Sequence, residues 1–191
     1  MTYFDWKSYI EQWSQKQIAE LGEGYESDLP IEVIESGYLG YSGATDDQIA
    51  SAEARLGVSF PPSYRDFLKV SNGLRSIVDY GIRFYSIEEV DWFAARNQDW
   101  IDVWTSDIKE TPSVPDEKYF VYGKEQDCAY VRSEYMQTAL AVSSECDGYI
   151  YLLNPRIITP DGEWEAWDFG NKLPGAFRYR SFQEMMMSIL E

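Results

Sequence analysis

Residues 45–73 constrain the fold more than any other stretch of the chain. Thr45 is followed three residues later by Gln48, the spacing of a capping box at a helix start. Asp46 and Asp47 suit the positive end of the helix dipole. Ile49, Ala52 and Leu56 recur at helical spacing, and Gly57 supplies the stop. Val58 and Phe60 lead into Pro61-Pro62, and proline is tolerated in a first helical turn because the amide it lacks would be unpaired there anyway. Tyr64, Phe67 and Leu68 give a second helix its inner face, and Asn72-Gly73 ends it. The segment reads as two short helices joined by a tight, proline-locked connection.

Around this unit the pattern is less regular. Residues 3–21 predict an amphipathic helix, with Trp6, Ile10, Trp13 and Gln17 or Leu21 recurring on one side. Residues 22–43, rich in Gly, Ser and acids, read as loop with at most one short strand at 31–34. Gly37, Gly40 and Gly43 lack the Gly-Lys-Ser/Thr ending of a phosphate loop and the spacing of a dinucleotide fingerprint, so they read as loop too. Ile82 and Phe84 suggest a short strand, 87–104 is compatible with one further helix, and 111–115 breaks the pattern. Beyond it, strands are expected at 119–122, 128–131, 138–142, 149–153 and 164–169. Asp147-Gly148 reads as a hairpin turn and Asp161-Gly162 as another turn. Ser181 and Glu184 repeat the capping-box spacing and open a final helix through Leu190. Strands after helices, closely spaced and without βαβ alternation, imply an α+β fold: a single domain with a central antiparallel β-sheet flanked by helices.

Composition narrows the chemistry. The 191 residues are 45% apolar and 16% aromatic, enough for a packed core in one domain. No apolar run approaches the roughly 18–20 residues of a membrane span, and the N-terminus shows no basic region followed by an apolar one. Cys128 and Cys146 are too few for a disulfide framework and match no zinc spacing, which points to reduced thiols and a cytoplasmic home. The chain has no histidine, which removes the Ser–His–Asp and Cys–His mechanisms and most zinc and iron sites. No metal, cofactor or catalytic residue is expected. The formal charge is −17, from 33 acidic and 16 basic residues. Residues 1–47 carry 10 acids and 2 bases, residues 48–87 carry 3 and 5, residues 88–117 carry 9 and 2, and residues 118–191 carry 11 and 7. Such a surface repels phosphate backbones and anionic lipid and steers basic partners, so neither nucleic acid nor membrane is expected as a partner.

The segment 43–73, GATDDQIASAEARLGVSFPPSYRDFLKVSNG, resembles the opening signature of the SUKH superfamily, the Smi/Knr group. The matching positions are Ile49, Glu53, Leu56, Phe60, Pro61, Tyr64, Phe67, Leu68, Asn72 and Gly73. Phe60 stands where the family often has Leu, which keeps the position apolar. YIYLLNP (149–155), GEWEAW (162–167) and the Ser-Phe-led final helix (181–190) also resemble the family. Against it, residues 1–42 look like an N-terminal helical extension, and 43–191 like the family core with a variable acidic insertion at about 88–117. The resemblance implies an α+β fold with an antiparallel sheet. In bacteria it implies an immunity protein that binds and neutralises a polymorphic toxin, often a nuclease. In some eukaryotic relatives it implies an adaptor or signalling module. It carries no catalytic motif.

Two sets of carboxylates are candidates for more than solubility. Glu163 and Glu165 would share one face of a strand, alternating with Trp164 and Trp167, and are expected to be solvated rather than catalytic. On a helix over 87–104, Ile87, Val90, Ala94 and Ile101 would face the core, with Phe93, Trp100 and Trp104 beside them. Trp92 would land on the opposite side near Glu88 and Asp99, with Asp91 and Asp102 at the periphery. An aromatic ringed by carboxylates suits an interface anchor for a basic partner. Glu88, Asp91, Trp92, Asp99 and Asp102 are therefore the candidate partner-binding residues; the alternative is that Trp92 packs against the N-terminal helix or the 105–115 loop.

Overall fold

The computed structural model describes residues 4–21, 29–78, 81–106, 113–170 and 172–190; the expectations for Tyr3, 22–28 and 107–112 lie outside the described residues. The 45–73 unit forms as its punctuation dictates. Helix α3 (Asp46–Leu56) opens on a reciprocal Thr45–Gln48 capping box and closes at Gly57 in the left-handed conformation. Helix α4 (Pro62–Val70) follows with proline in its first turn. Before them lie α1 (Trp6–Glu20), capped by the Asp5 side chain, and α2 (Ile31–Ser36). The short strand expected at 31–34 is thus a helix. Pro30 starts it, Gly37 at φ 64 ends it, and Val33 is buried beneath it.

Five strands form one antiparallel meander in the order β1 (Asp91–Trp92), β2 (Leu140–Ala141), β3 (Tyr149–Ile158), β4 (Trp164–Gly170) and β5 (Gly175–Tyr179). Asp147 and Gly148, both at positive φ, make the two-residue turn before β3, as the primed hairpin geometry requires. The register of β3 on β4 shifts between Asn154 and Ile158, a bulge that accommodates Pro155 inside a strand. Strand alternation sorts the paired residues onto two faces. The row Trp92–Leu140–Leu153–Ala166–Tyr179 belongs to one face, and Asp91–Ala141–Leu152–Trp167–Arg178 to the other.

Each face covers its own core. On the first, α1, α3, α4 and α7 (Phe182–Ile189) contribute Trp6, Ile10, Ile49, Leu56, Phe67 and Phe182. Trp6 and Phe182 meet Phe67 with ring centres 5.4 and 5.0 Å apart. On the second face, Trp167, Phe169, Ile150 and Leu152 pack against Phe93, α5 (Gln98–Trp104) and the 3-10 turn Ser133–Thr138. Helix α6 (Asp116–Tyr119) and the chain running on to Val131 complete this layer. Among the described residues no helix is long and apolar enough to cross a membrane.

Several elements differ from the sequence expectation. Residues 87–104 are not one helix but a turn, strand β1, the 3-10 turn Phe93–Ala95 and α5. Arg55 explains the break: its guanidinium donates to the carbonyls of Ile87 and Val90 at 3.2 and 2.8 Å, taking oxygens that a helix would use internally. Residues 119–122 and 128–131 are not strands, and 138–142 shortens to Leu140–Ala141. Strand β5 was hidden by Arg178, a fully buried charge at an inward position of the alternation. Ser181 caps α7, but the Glu184 carboxylate takes the amide of Arg180 instead of closing the box. Cys128 and Cys146 are half-buried and not joined by a disulfide.

Candidate partner-binding surface

The five candidate residues do not share a helical face. Glu88 is exposed and belongs to the turn that meets α3, where it accepts from Gln48 Nε2 at 3.0 Å and Asn72 Nδ2 at 3.2 Å. Partial burial opposes its ionisation, yet backbone and side-chain hydrogen bonds hold its carboxyl below the ordinary value. Asn72 accepts from the Ile87 amide at 2.7 Å, so the Asn-Gly end of α4 also pins this turn.

Asp91 and Trp92 form the edge strand. Phe93 N donates to Ala139 O, which makes Asp91 the hydrogen-bonded partner of Ala141 and leaves the Trp92 amide pointing away from the sheet. Asp91 Oδ1 accepts that outward amide at 2.8 Å. The carboxylate blunts an edge that would otherwise be open to another strand. Trp92 is half-buried and packs against the helix-side core, so it is not the protruding aromatic that a continuous helix would have presented.

Asp99 and Asp102 are the pair the structure keeps together. Both lie on α5 and are exposed. Trp100 and Trp104 turn inward and hold the helix down on Phe169, with ring centres 5.9 and 5.1 Å from it. Asp102 accepts from Gln98 at 2.8 Å, and Gln98 and Gln137 exchange side-chain hydrogen bonds that tie α5 to the Ser133–Thr138 turn. Val103, at 73% exposed, directly follows Asp102 on this helix.

Glu165 is buried and Glu163 half-buried, contrary to the expectation that both are solvated. Glu163 accepts from the Ser63 amide at 2.8 Å and its hydroxyl at 2.6 Å. Helix α4 has proline where a capping side chain would sit, and Glu163 caps its first turn from across the domain. Glu165 is 1% exposed. It accepts from Tyr119 Oη at 2.6 Å, Tyr122 Oη at 2.8 Å, Asn154 Nδ2 at 2.9 Å and Trp167 Nε1 at 2.7 Å. Burial, then the nearby Glu165 charge, raises both tyrosine hydroxyls above their ordinary pKa, so they remain donors. Arg178 donates to the carbonyls of Tyr119 and Val121, and Gln126 takes the Arg178 amide at 2.7 Å. The guanidinium carbons of Arg132 and Arg178 lie 4.4 and 4.5 Å from the centre of the Tyr119 ring. Sequence reasoning missed this centre because its donors come from three separate stretches, 119–122, Asn154 and Trp167. The one available signal was a lone Glu among three aromatics and an alanine.

Geometrically the chain is an α+β domain whose antiparallel meander is packed by helices on one face and by turns and short helices on the other. Residues 43–188 match the SMI1 / KNR4 family (SUKH-1), and the chain belongs to that family. Among curated proteins none matches the chain.

Proposed function

We propose that this chain is a non-catalytic immunity-type protein of the cytoplasm that binds a cognate, basic toxin domain, such as a nuclease, and neutralises it by stoichiometric occlusion. The observation that carries this reading is how the domain disposes its charge. Most of its arginines are engaged by the protein's own acceptors: Arg55, Arg75 and Arg178 donate to backbone carbonyls, and Arg65, Arg83, Arg132 and Arg180 meet carboxylates, whereas Arg96 and Arg156 are exposed and donate to a carbonyl and a hydroxyl. Asp99 and Asp102 stand exposed on α5 without a salt bridge among the described residues, on a chain of net charge −17. A nuclease presents Lys and Arg to phosphate, so a rigid acidic surface competes for the same groups and steers the encounter. Asp99 and Asp102 would make contact, Glu88 and Asp91 add to the field, and Trp92 seats the edge strand that carries Asp91.

Family membership supports a protein-binding role. The Glu165 centre supports a non-catalytic one, because both carboxylate oxygens are occupied by the protein's own donors. The reading needs no cofactor or metal. Co-expression with the toxin domain of a neighbouring reading frame tests it. Growth should be restored by the wild-type chain and impaired when Asp91, Asp99 and Asp102 are reversed to Lys. Growth arrest despite abundant folded wild-type chain would reject the reading. Recovery of several host proteins in place of one toxin would favour an adaptor.

A further inference from the structure

The second face of the sheet carries one aromatic that its surroundings keep outside. Phe120 is 43% exposed, although Tyr119 just before it is fully buried. The backbone on either side is fixed from below: Tyr119 and Tyr122 both donate to Glu165, and Arg178 holds the carbonyls of Tyr119 and Val121. With its neighbours tied down, Phe120 cannot exchange places with Tyr119 and swing inward. Its ring leans edge-on against Tyr119 at 5.3 Å, and the Arg132 guanidinium lies 5.5 Å away. A large apolar side chain held out rigidly loses little conformational freedom on binding, which is the property of a hot-spot anchor.

The ring stands in an acidic frame continuous with α5. Asp116 and Glu117, exposed, occupy the turn that precedes it. Asp116 pairs with Arg132 at 2.5 Å, which also joins this turn to the Ser133–Thr138 segment. Ser113 donates to Glu134 on that segment, and Gln137 at its other end holds Gln98 of α5. The 3-10 turn therefore bridges two exposed elements. One bears Asp116, Glu117 and Phe120; the other bears Asp99, Asp102 and Val103. Arg132 neutralises Asp116, and Lys118, exposed, lies over the Tyr130 ring at 4.8 Å, so the acids of the frame without a salt bridge among the described residues are Asp99, Asp102 and Glu117.

We propose that this face is the docking surface for a basic protein partner, with Phe120 as its anchor, Val103 as a second apolar contact, and Asp99, Asp102 and Glu117 as the charges that orient it. Apolar contacts ringed by one sign of charge select a partner with an apolar pocket rimmed by Lys and Arg. The inference rests on the proposed toxin-binding reading for its biological meaning, and names where that contact is made.

The test uses the full chain and a defined probe, a ten-residue peptide of alternating Arg and Leu, with the Glu–Leu peptide as control. In an amide-resolved NMR titration the Arg–Leu peptide should shift residues 99–103, 116–120 and 137, and the Glu–Leu peptide should leave them unmoved. Phe120→Ser should weaken binding about tenfold with the spectrum otherwise native, and D99K/D102K should weaken it and flatten its salt dependence. Shifts centred on α1 or α3, or unchanged affinity in folded Phe120→Ser, would overturn the assignment. Failure of growth rescue with intact peptide binding here would count against the immunity reading alone.

Discussion

Replacing Glu165 with leucine removes the acceptor shared by four donors while leaving the sheet's apolar packing in place. Tyr119, Asn154 and Trp167 are fully buried, so their donors have no water to turn to, whereas Tyr122 is half-buried and can rotate outward. Each buried donor left unpaired costs about 1–3 kcal/mol, and removing one partner of a buried charged network costs about 3–5 kcal/mol in total. A loss of about 4 kcal/mol is expected, set against the roughly 5–15 kcal/mol that holds a typical domain together. With a urea slope of about 2 kcal/mol per molar, the unfolding midpoint should fall by about 2 M. Glu165→Gln retains a carbonyl acceptor and should fall between leucine and wild type. Equilibrium urea unfolding followed by tryptophan fluorescence measures this directly. A midpoint shift below about 0.5 M for the leucine variant would refute the idea that Glu165 organises the 119–122 segment.

Asp168 gives a pH prediction. Burial raises its carboxyl to about 6, and its Oδ1 is buried without a hydrogen-bond partner among the described residues. Because the folded value lies above the unfolded one, the stabilisation is complete below about pH 4 and is lost as pH rises through about 6. Asp168→Asn should therefore be more stable than wild type by about 1–3 kcal/mol at pH 8, with the gap closing by pH 4 in parallel urea titrations. Trp92→Ala should cost about 2–4 kcal/mol of stability, as removal of a packed side chain does; an unchanged unfolding midpoint would mean Trp92 is not packed. Thr45→Ala removes half of the capping box on α3 and should lower stability by about 1 kcal/mol, measurable as a melting-temperature shift of a few degrees.

What the sequence disclosed followed from local chemistry. The α3–α4 unit, the Asp147-Gly148 turn and strand β4 depend on residues within a few positions of one another, so spacing alone reveals them. The departures arose where a distant group took over. Arg55 draws the carbonyls of Ile87 and Val90 out of helical register, and with them goes the single face on which Glu88, Trp92 and Asp99 would have met. Glu165 recruits Tyr119 and Tyr122 from 46 and 43 residues away, turning an expected strand into a strapped loop. Arg178 hides β5 because a buried charge breaks the alternation that marks a strand. Asp99 and Asp102 were legible as acids on a helix; Phe120 as their companion was not, since its exposure depends on the network beneath it.

Occlusion without turnover, the mode of action proposed for this chain, can be tested by a single titration. Purified chain is added in increments to a fixed concentration of the candidate toxin domain from the neighbouring reading frame, and residual toxin activity is read at each step. Stoichiometric occlusion should give a linear fall to zero at one molar equivalent, with the endpoint unchanged on longer incubation. Progressive inactivation by sub-stoichiometric amounts, or full toxin activity in a saturated complex, would contradict it.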